Sequence, residues 1–264
     1  MSLEKITMHY LRRYDLLAMA GATLLVLGGC AARYATPSRG ADMSLFGGEK
    51  AKLQQFTDRK VQVALDRKPT ARFPVTLAVV RVQEAGYRSR TARGYGSGEY
   101  SVVTTRDIEE DEDFKAINDL DRISGVATVN RLLLPARLSD DRELRAAAAA
   151  VHADMLLLYT LDTAFTTEDG MRPLTVLTLG LFPTKNVRVN STASALLLDT
   201  RTGYVYGVAE ASAEGAQLAN AWTSGDAADQ ARRRIEREAF GRLVGRFEHA
   251  WADVVAIHDR HAGP

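Results

Sequence analysis

The chain has 264 residues, of which 46% are apolar and 25% charged, as in ordinary globular proteins. Its 34 Lys and Arg residues balance 33 Asp and Glu residues. This argues against nucleic acid as the main partner, because phosphate neutralisation needs a basic surplus. The single cysteine, Cys30, excludes an internal disulfide framework.

Residues 1–29 have the pattern of a secretory signal, with a basic head, an apolar stretch over 16–27 and small residues after it. The apolar stretch is shorter than the roughly 20 residues that a transmembrane helix needs. Leu27-Gly28-Gly29-Cys30 resembles the lipobox of bacterial lipoproteins, with aliphatic, small, small and cysteine positions. The resemblance implies cleavage between Gly29 and Cys30. The alternative is an uncleaved helix with a buried cysteine.

What the lipobox implies for Cys30 is a thioether-linked diacylglycerol and an acylated amine, so that membrane lipid becomes its partner. Two or more acyl chains anchor a protein stably, whereas one chain binds only marginally. Ala31 and Ala32 follow, with no aspartate directly after the cysteine. By family sorting rules this resembles an outer-membrane lipoprotein facing the periplasm, if the cell is Gram-negative.

Beyond the anchor, residues 30–71 are predicted to form a tether, because 31–50 are small, polar and rich in Gly and Pro. A short helix is expected within 51–67. A single domain is predicted over 72–258, followed by a tail over 259–264. Its first strands are predicted at 73–82, 100–105 and 123–134, with a loop over 86–98 and a helix in the second half of 107–120.

The middle of the domain has the clearest pattern. An alanine-rich helix over 139–151 is followed by a buried strand over 153–163. Two further strands, 192–199 and 204–209, flank Asp199-Thr200-Arg201-Thr202-Gly203, which predicts a hairpin turn with the glycine at positive φ.

A long amphipathic helix is predicted from Asp226 to Ile257. Its apolar positions, expected on the core, are Ala231, Ile235, Ala239, Leu243, Phe247, Trp251 and Val254. Its charged positions, expected on the opposite side, are Arg232, Arg233, Glu236, Arg242 and Glu248. Together the elements predict an α+β fold, an α/β sandwich in which a mixed sheet with hairpins is covered by helices.

Three of these pieces resemble a known group of envelope domains: the helix leading into Ala153-Asp154 and its strand, the strand pair around Asp199–Gly203, and the closing helix. The group comprises the curli secretion-channel lipoprotein, the outer-membrane lipoprotein activators of peptidoglycan synthases and the N-terminal domain of the Tol translocation protein. The resemblance covers residues 72–257. It implies a non-enzymatic envelope protein that binds partners or oligomerises.

A pore subunit would need lipid-facing strands of about 9–11 residues with alternating polarity. The candidate arms are 174–182 and 187–191, but the first alternates only partly and the second is short and polar. A soluble hairpin or exposed loop is the favoured interpretation. Its apolar tip, with Leu179, Leu181, Phe182 and Pro183, is the first candidate for a partner-binding surface.

No catalytic constellation is found in the sequence, and we expect no metal and no cofactor. His249, His258 and His261 lack zinc-site spacing, and Gly94–Gly98 lacks the frame of a dinucleotide loop. The acidic run 108–113 is typical of a solvated face.

The expected function is therefore that of a membrane-anchored periplasmic lipoprotein, non-enzymatic, binding an envelope protein. The alternatives are an oligomeric component of a secretion or export complex, which would make a second copy of the chain a partner, and an unrecognised envelope hydrolase.

Overall fold

The structure is a computed structural model, which describes residues 39–46, 58–169, 185–219 and 224–261; all structural statements below refer to these residues. A mixed seven-stranded sheet carries helices on both faces, which confirms the predicted α+β class. The strands are β1 Val75–Glu84, β2 Gly94–Tyr95, β3 Ser97–Gly98, β4 Tyr100–Val103, β5 Ile123–Thr128, β6 Arg137–Leu138, β7 Met155–Asp169, β8 Lys185–Asp199 and β9 Val205–Ala219. The helices are α1 Asp58–Asp66, α2 Asp111–Asn118, α3 Asp141–Ala150 and α4 Ser224–His261.

The sheet is organised around β1. One edge of β1 pairs in parallel with β7, and the other pairs in parallel with β5 at its start and antiparallel with β4 at its end. The order continues as β7, β8, β9, all antiparallel, while β2 borders β4 and a separate two-stranded sheet joins β3 and β6. The predicted strand 123–134 is shorter than expected, because it ends at Thr128 and a 3-10 turn follows at Arg131–Leu133.

Three long strands extend the sheet well beyond β1. Val80 pairs with Leu158, yet β1 ends at Glu84 whereas β7 continues to Asp169. At a rise of about 3.3 Å per residue, β7 therefore extends roughly 23 Å past the end of β1. Strand β8 pairs with β7 from Met155 opposite Asp199 to Asp169 opposite Lys185, and β9 pairs with β8 from Lys185 opposite Ala219 to Leu198 opposite Val205, with one register shift between Leu197 and Leu198.

Helix α4 covers one face of this sheet, and all seven apolar positions predicted for its core side are buried. Two of the charged positions predicted for its exposed side are wrong: Arg232 is 0% exposed and Glu236 is 1% exposed. Charged side chains can be buried when they are paired, and the partners here come from distant parts of the chain. No described helix has both the length and the apolar content needed to cross a bilayer.

The other face is covered by α3, by the loop before it and by part of the predicted tether. Residues 39–46, which we call the strap, lie beside β1 and β7: Gly40 bridges Gln83, and the Ala41 N–H donates to Thr160 Oγ1 at 2.7 Å. Ala41 and Phe46 are buried, and the Phe46 ring meets Tyr100 edge-on at 5.0 Å between centroids. This part of the predicted tether is thus packed on the domain.

Two aspartates of the sequence motifs hold the sheet ends together. Asp154 joins the starts of β7 and β1, since its carboxylate accepts from the Thr76 N–H at 3.1 Å and its own N–H donates to the Thr76 carbonyl at 2.8 Å. Asp199 organises the β8–β9 turn, where Gly203 has φ +67° as predicted. Its carboxylate also accepts from the Thr70 N–H at 2.6 Å. Both aspartates therefore have structural roles.

Candidate functional site

The first candidate is a cluster of six charged side chains buried between α4 and the sheet, which we call the ion network. Its members come from β1, from the loop before α2 and from α4: Arg81, Asp107, Glu109, Asp229, Arg232 and Glu236. None of these side chains is more than 5% exposed.

Two arginines hold the network together by sharing carboxylates. Arg81 donates to Asp107 at 2.8 Å and to Glu109 at 3.2 Å. Arg232 donates to Asp107 at 3.2 Å and to Glu236 at 2.5 Å. Asp107 therefore lies between a guanidinium from the sheet and one from α4, which ties the helix to the strand.

The electrostatics of the network follow from burial. Burial raises the pKa of Glu236 in spite of Arg232 and Arg81, and it raises the pKa of Tyr159, whose hydroxyl donates to Glu109 at 2.8 Å. Burial also acts to raise the pKa of Asp107, but the Arg81 charge and the Thr91 hydroxyl outweigh it, so that this pKa is lowered.

A cleft of about 100 Å³ lies next to the network, with Arg81, Glu109 and Tyr159 among its lining residues. It opens where β4 and β5 end against β1, and Arg106 lines it from the β4 side. The network's charges are paired with one another, so its evident task is to fix α4 on the sheet. Within the described residues, no group of three His, Cys, Asp or Glu side chains is arranged to hold a metal ion.

The second candidate lies at the sheet edge. Among the described strands, β9 pairs with β8 alone, so one side of this 15-residue strand is an open edge. Between this edge and α4 runs a groove of about 520 Å³, which we call the edge groove. It is lined by Glu210, Ala211, Ser212, Arg242, Gly245, Arg246 and His249.

The charge of the edge groove is mainly positive. Arg242 pairs with Glu238 at 2.5 Å, whereas Arg246 is exposed and forms no ion pair with any described residue. His249 holds Nδ1 2.7 Å from the Gly245 carbonyl oxygen, and the Glu210 carboxylate accepts from Ser194 at 3.0 Å. Arg246 thus offers the groove a guanidinium without an ion pair among the described residues, His249 offers an exposed imidazole, and the Glu210 side chain lies on the opposite face of the sheet.

Two arginines of α4 already occupy acceptor groups of β9. Arg242 donates to the Ser212 carbonyl at 2.6 Å, and Arg234 donates to the Ala216 carbonyl at 3.2 Å. An exposed strand edge offers unpaired N–H and C=O groups that attract a further strand, and charged side chains are one way to limit this. The two arginines therefore partly cap the edge.

Helix α4 also carries glycines at 241 and 245, one turn apart. A glycine inside a helix costs about 1 kcal/mol relative to alanine. A Cβ at Gly245 would meet nothing within 4 Å, and a Cβ at Gly241 would meet only Arg237 Nη1 at 3.8 Å. Packing inside the described chain therefore explains neither glycine, and Gly245 leaves a gap in the wall of the edge groove.

All six residues predicted as functional lie outside the described residues: Gly29, Cys30, Leu179, Leu181, Phe182 and Pro183. The second arm of the predicted hairpin, 187–191, belongs to β8, whose two edges pair with β7 and β9. That arm is therefore wrong as a partner for 174–182. His258 packs against Phe73, with 4.4 Å between ring centroids.

Sequence reasoning missed both candidate sites. The ion network joins residues up to 155 positions apart (Arg81 and Glu236), and Arg232 and Asp107 are 125 apart, which periodicity cannot detect. The edge groove had one signal in the sequence: two glycines four residues apart inside a strong helical pattern.

The molecule is thus an α+β protein with a long three-stranded extension and one open strand edge beside its last helix. No protein-family model matches the chain, and no curated protein matches it. A similar solved structure is that of protein XCC0632 from Xanthomonas campestris, of family model DUF330. The two chains are 14% identical, the match covers 71% of this chain and 93% of that chain, and the TM-score is 0.33.

Proposed function

We propose that this protein is a lipid-anchored lipoprotein of the bacterial envelope, outer-membrane and periplasmic if the cell is Gram-negative, whose α+β domain binds another envelope protein without catalysing a reaction. The observation that carries the proposal is Leu27-Gly28-Gly29-Cys30 behind a basic head and a short apolar run. The resemblance to envelope lipoprotein domains supports it, through the elements around Asp154 and Asp199.

The described domain supports a binding role in two ways. Its buried charges are paired in the ion network, and its motif aspartates hold strand ends together, so these groups serve the fold. Its edge groove, in contrast, offers an open strand and an unpaired Arg246. If Cys30 carries lipid, residues 31–38 separate it from the strap by a contour of about 30 Å at most.

The test is intact mass and membrane fractionation of the expressed protein beside a Cys30→Ser variant. We expect a mature chain that starts at Cys30 with acyl additions, and we expect the variant to lose both the acyl mass and the membrane association. A full-length, unacylated chain in the soluble fraction would refute the proposal.

An oligomeric export component is the second candidate, favoured by the open edge of β9, which a second copy could extend. Analytical ultracentrifugation of the acylated protein in detergent distinguishes the two. A closed oligomer would favour the export component, and a monomer would exclude it.

A further inference from the structure

We propose that the edge groove binds an extended, acidic segment of a partner protein, which adds as a strand to the open edge of β9. The inference deepens the proposed function, on which it rests for the setting of a binding protein. Strand addition is a general mode of peptide recognition, in which main-chain hydrogen bonds give affinity and alternate side chains give specificity.

The backbone of β9 provides the first argument. Strand β9 is paired with β8 from Val205 to Ala219, and its opposite side borders the edge groove at Glu210, Ala211 and Ser212. The Ser212 carbonyl accepts from Arg242 across this groove, which shows that it points away from β8 and towards the place of an added strand.

The side chains on either side of the edge provide the second argument. A strand in the groove would direct alternate residues towards α4, where Arg246 and His249 are exposed and Gly245 leaves room for the incoming chain. Its other residues would lie on the opposite face of the sheet, beside Val208, which is 69% exposed. The groove therefore favours a segment that alternates acidic and apolar residues.

The basic side chains on the α4 side of the groove favour acidic side chains in the bound segment. Arg242, Arg246 and His249 line the α4 side of the groove, where Arg242 pairs with Glu238, whereas the Glu210 carboxylate accepts from Ser194 on the opposite face of the sheet. An acidic side chain near Arg246 would form an ion pair that the free protein lacks, whereas a lysine there would meet a like charge. Specificity against basic segments follows from the same residues.

The experiment measures binding of labelled synthetic nonapeptides to the full chain by fluorescence anisotropy. The first peptide alternates Glu and Val, the second alternates Lys and Val, and the third is the acidic peptide with alternate amides N-methylated. We expect the acidic peptide to bind at least tenfold more tightly than the basic one, to weaken as salt rises, and to lose binding when N-methylated. Arg246→Glu should reverse the preference between the first two peptides.

Glycine variants separate binding from folding. Gly245→Ala should raise the melting temperature by about 2–4 °C, because alanine favours the helix, and yet weaken acidic-peptide binding at least fivefold. Gly241→Ala, outside the groove lining, is the matched control and should give the same thermal gain with unchanged binding.

Equal binding of the acidic and basic peptides, or binding that survives N-methylation, would overturn the proposal. A dimer that Arg246→Glu dissociates, together with no peptide binding, would overturn it in favour of a second copy as the occupant. The anchor test is independent: a chain without acyl groups that still binds the acidic peptide would refute the proposed function alone, whereas an acylated chain that ignores the peptide would refute this inference alone.

Discussion

Replacing Asp199 by asparagine should destabilise the domain by about 3 kcal/mol. The Asp199 carboxylate is buried and accepts from three segments of the chain. Oδ2 accepts from Thr70 N–H (2.6 Å), Ala71 N–H (3.0 Å) and Tyr206 hydroxyl (3.0 Å), and Oδ1 accepts from Arg201 N–H (2.9 Å) and Thr202 N–H (3.0 Å). An amide group in place of either oxygen would therefore face two backbone N–H donors. Each hydrogen bond to a charged group contributes about 1.5–3 kcal/mol to the free energy of unfolding, so losing two costs about 3–6 kcal/mol. Because the turn can relax around the amide, we expect a loss at the lower end of this range.

Equilibrium urea denaturation of both proteins, followed through the fluorescence of buried Trp251, measures this loss. Asp162→Asn is the control, because Asp162 lies on β7 with its side chain exposed, and it should change stability by less than about 0.5 kcal/mol. A loss below about 1 kcal/mol at Asp199, or an equal loss in the control, would refute the reasoning.

Acid should erase the difference between the wild type and Asp199→Asn. Burial acts to raise the pKa of Asp199, but hydrogen bonds from Thr202 and Thr70 outweigh it, so the pKa lies below its ordinary value. A carboxylate with a lowered folded-state pKa stabilises the fold above its unfolded pKa of about 3.9, and this contribution is lost as pH falls through the folded value. The urea midpoints of the two proteins should therefore converge below about pH 4; a constant gap down to pH 2 would contradict the assignment.

Three further changes test the rest of the domain. Arg232→Met should lower the free energy of unfolding, measured by urea denaturation, by about 3–5 kcal/mol, because it leaves buried carboxylates without their cation. Arg233→Met is the control: this side chain is 43% exposed, and its loss should cost under about 1 kcal/mol. Similar losses in the two variants would contradict a special role for the network. Gly40→Val should release the strap from the sheet, since a Cβ there would lie 2.8 Å from Thr160 Oγ1. Limited proteolysis should then cleave the variant within 39–46 and leave the rest of the domain intact. If residues 39–46 stay as protected as in the wild type, the predicted release is refuted. Tyr100→Phe should cost about 1 kcal/mol by removing a 2.8 Å hydrogen bond to a backbone carbonyl before α3, and a neutral result would show that the hydroxyl contributes nothing.

The sequence was sufficient for elements whose signal is local. The core side of α4 follows from the spacing of Ala231 through Val254, and the β8–β9 turn follows from Asp199 and Gly203. Both predictions depend on residues a few positions apart, which share a helix face or a turn whatever the rest of the chain does.

The same patterns failed where distant partners decide the outcome. Arg232 and Glu236 fall on the charged side of α4 by periodicity, but Arg81 and Asp107 are brought against them by the fold. The stretch 187–191 is polar in sequence, yet Val189 and Ser191 are buried because β7, β9 and α4 surround this part of β8. Local hydropathy cannot indicate such burial, since the pairing partners are set by topology.

The self-capped edge of β9 also explains why an acidic strand would be selected over a neutral one. A strand that adds beside Ser212 competes with Arg242 for the Ser212 carbonyl, and where it displaces Arg242 it exchanges a hydrogen bond from a charged donor for one from a neutral amide. The displaced guanidinium keeps Glu238, but it loses that acceptor unless the incoming strand supplies another. A carboxylate at the position facing α4 supplies one to Arg242 or Arg246, whereas an apolar or basic side chain does not. The capping arginine therefore protects the open edge from indiscriminate pairing and favours a partner that brings its own negative charge.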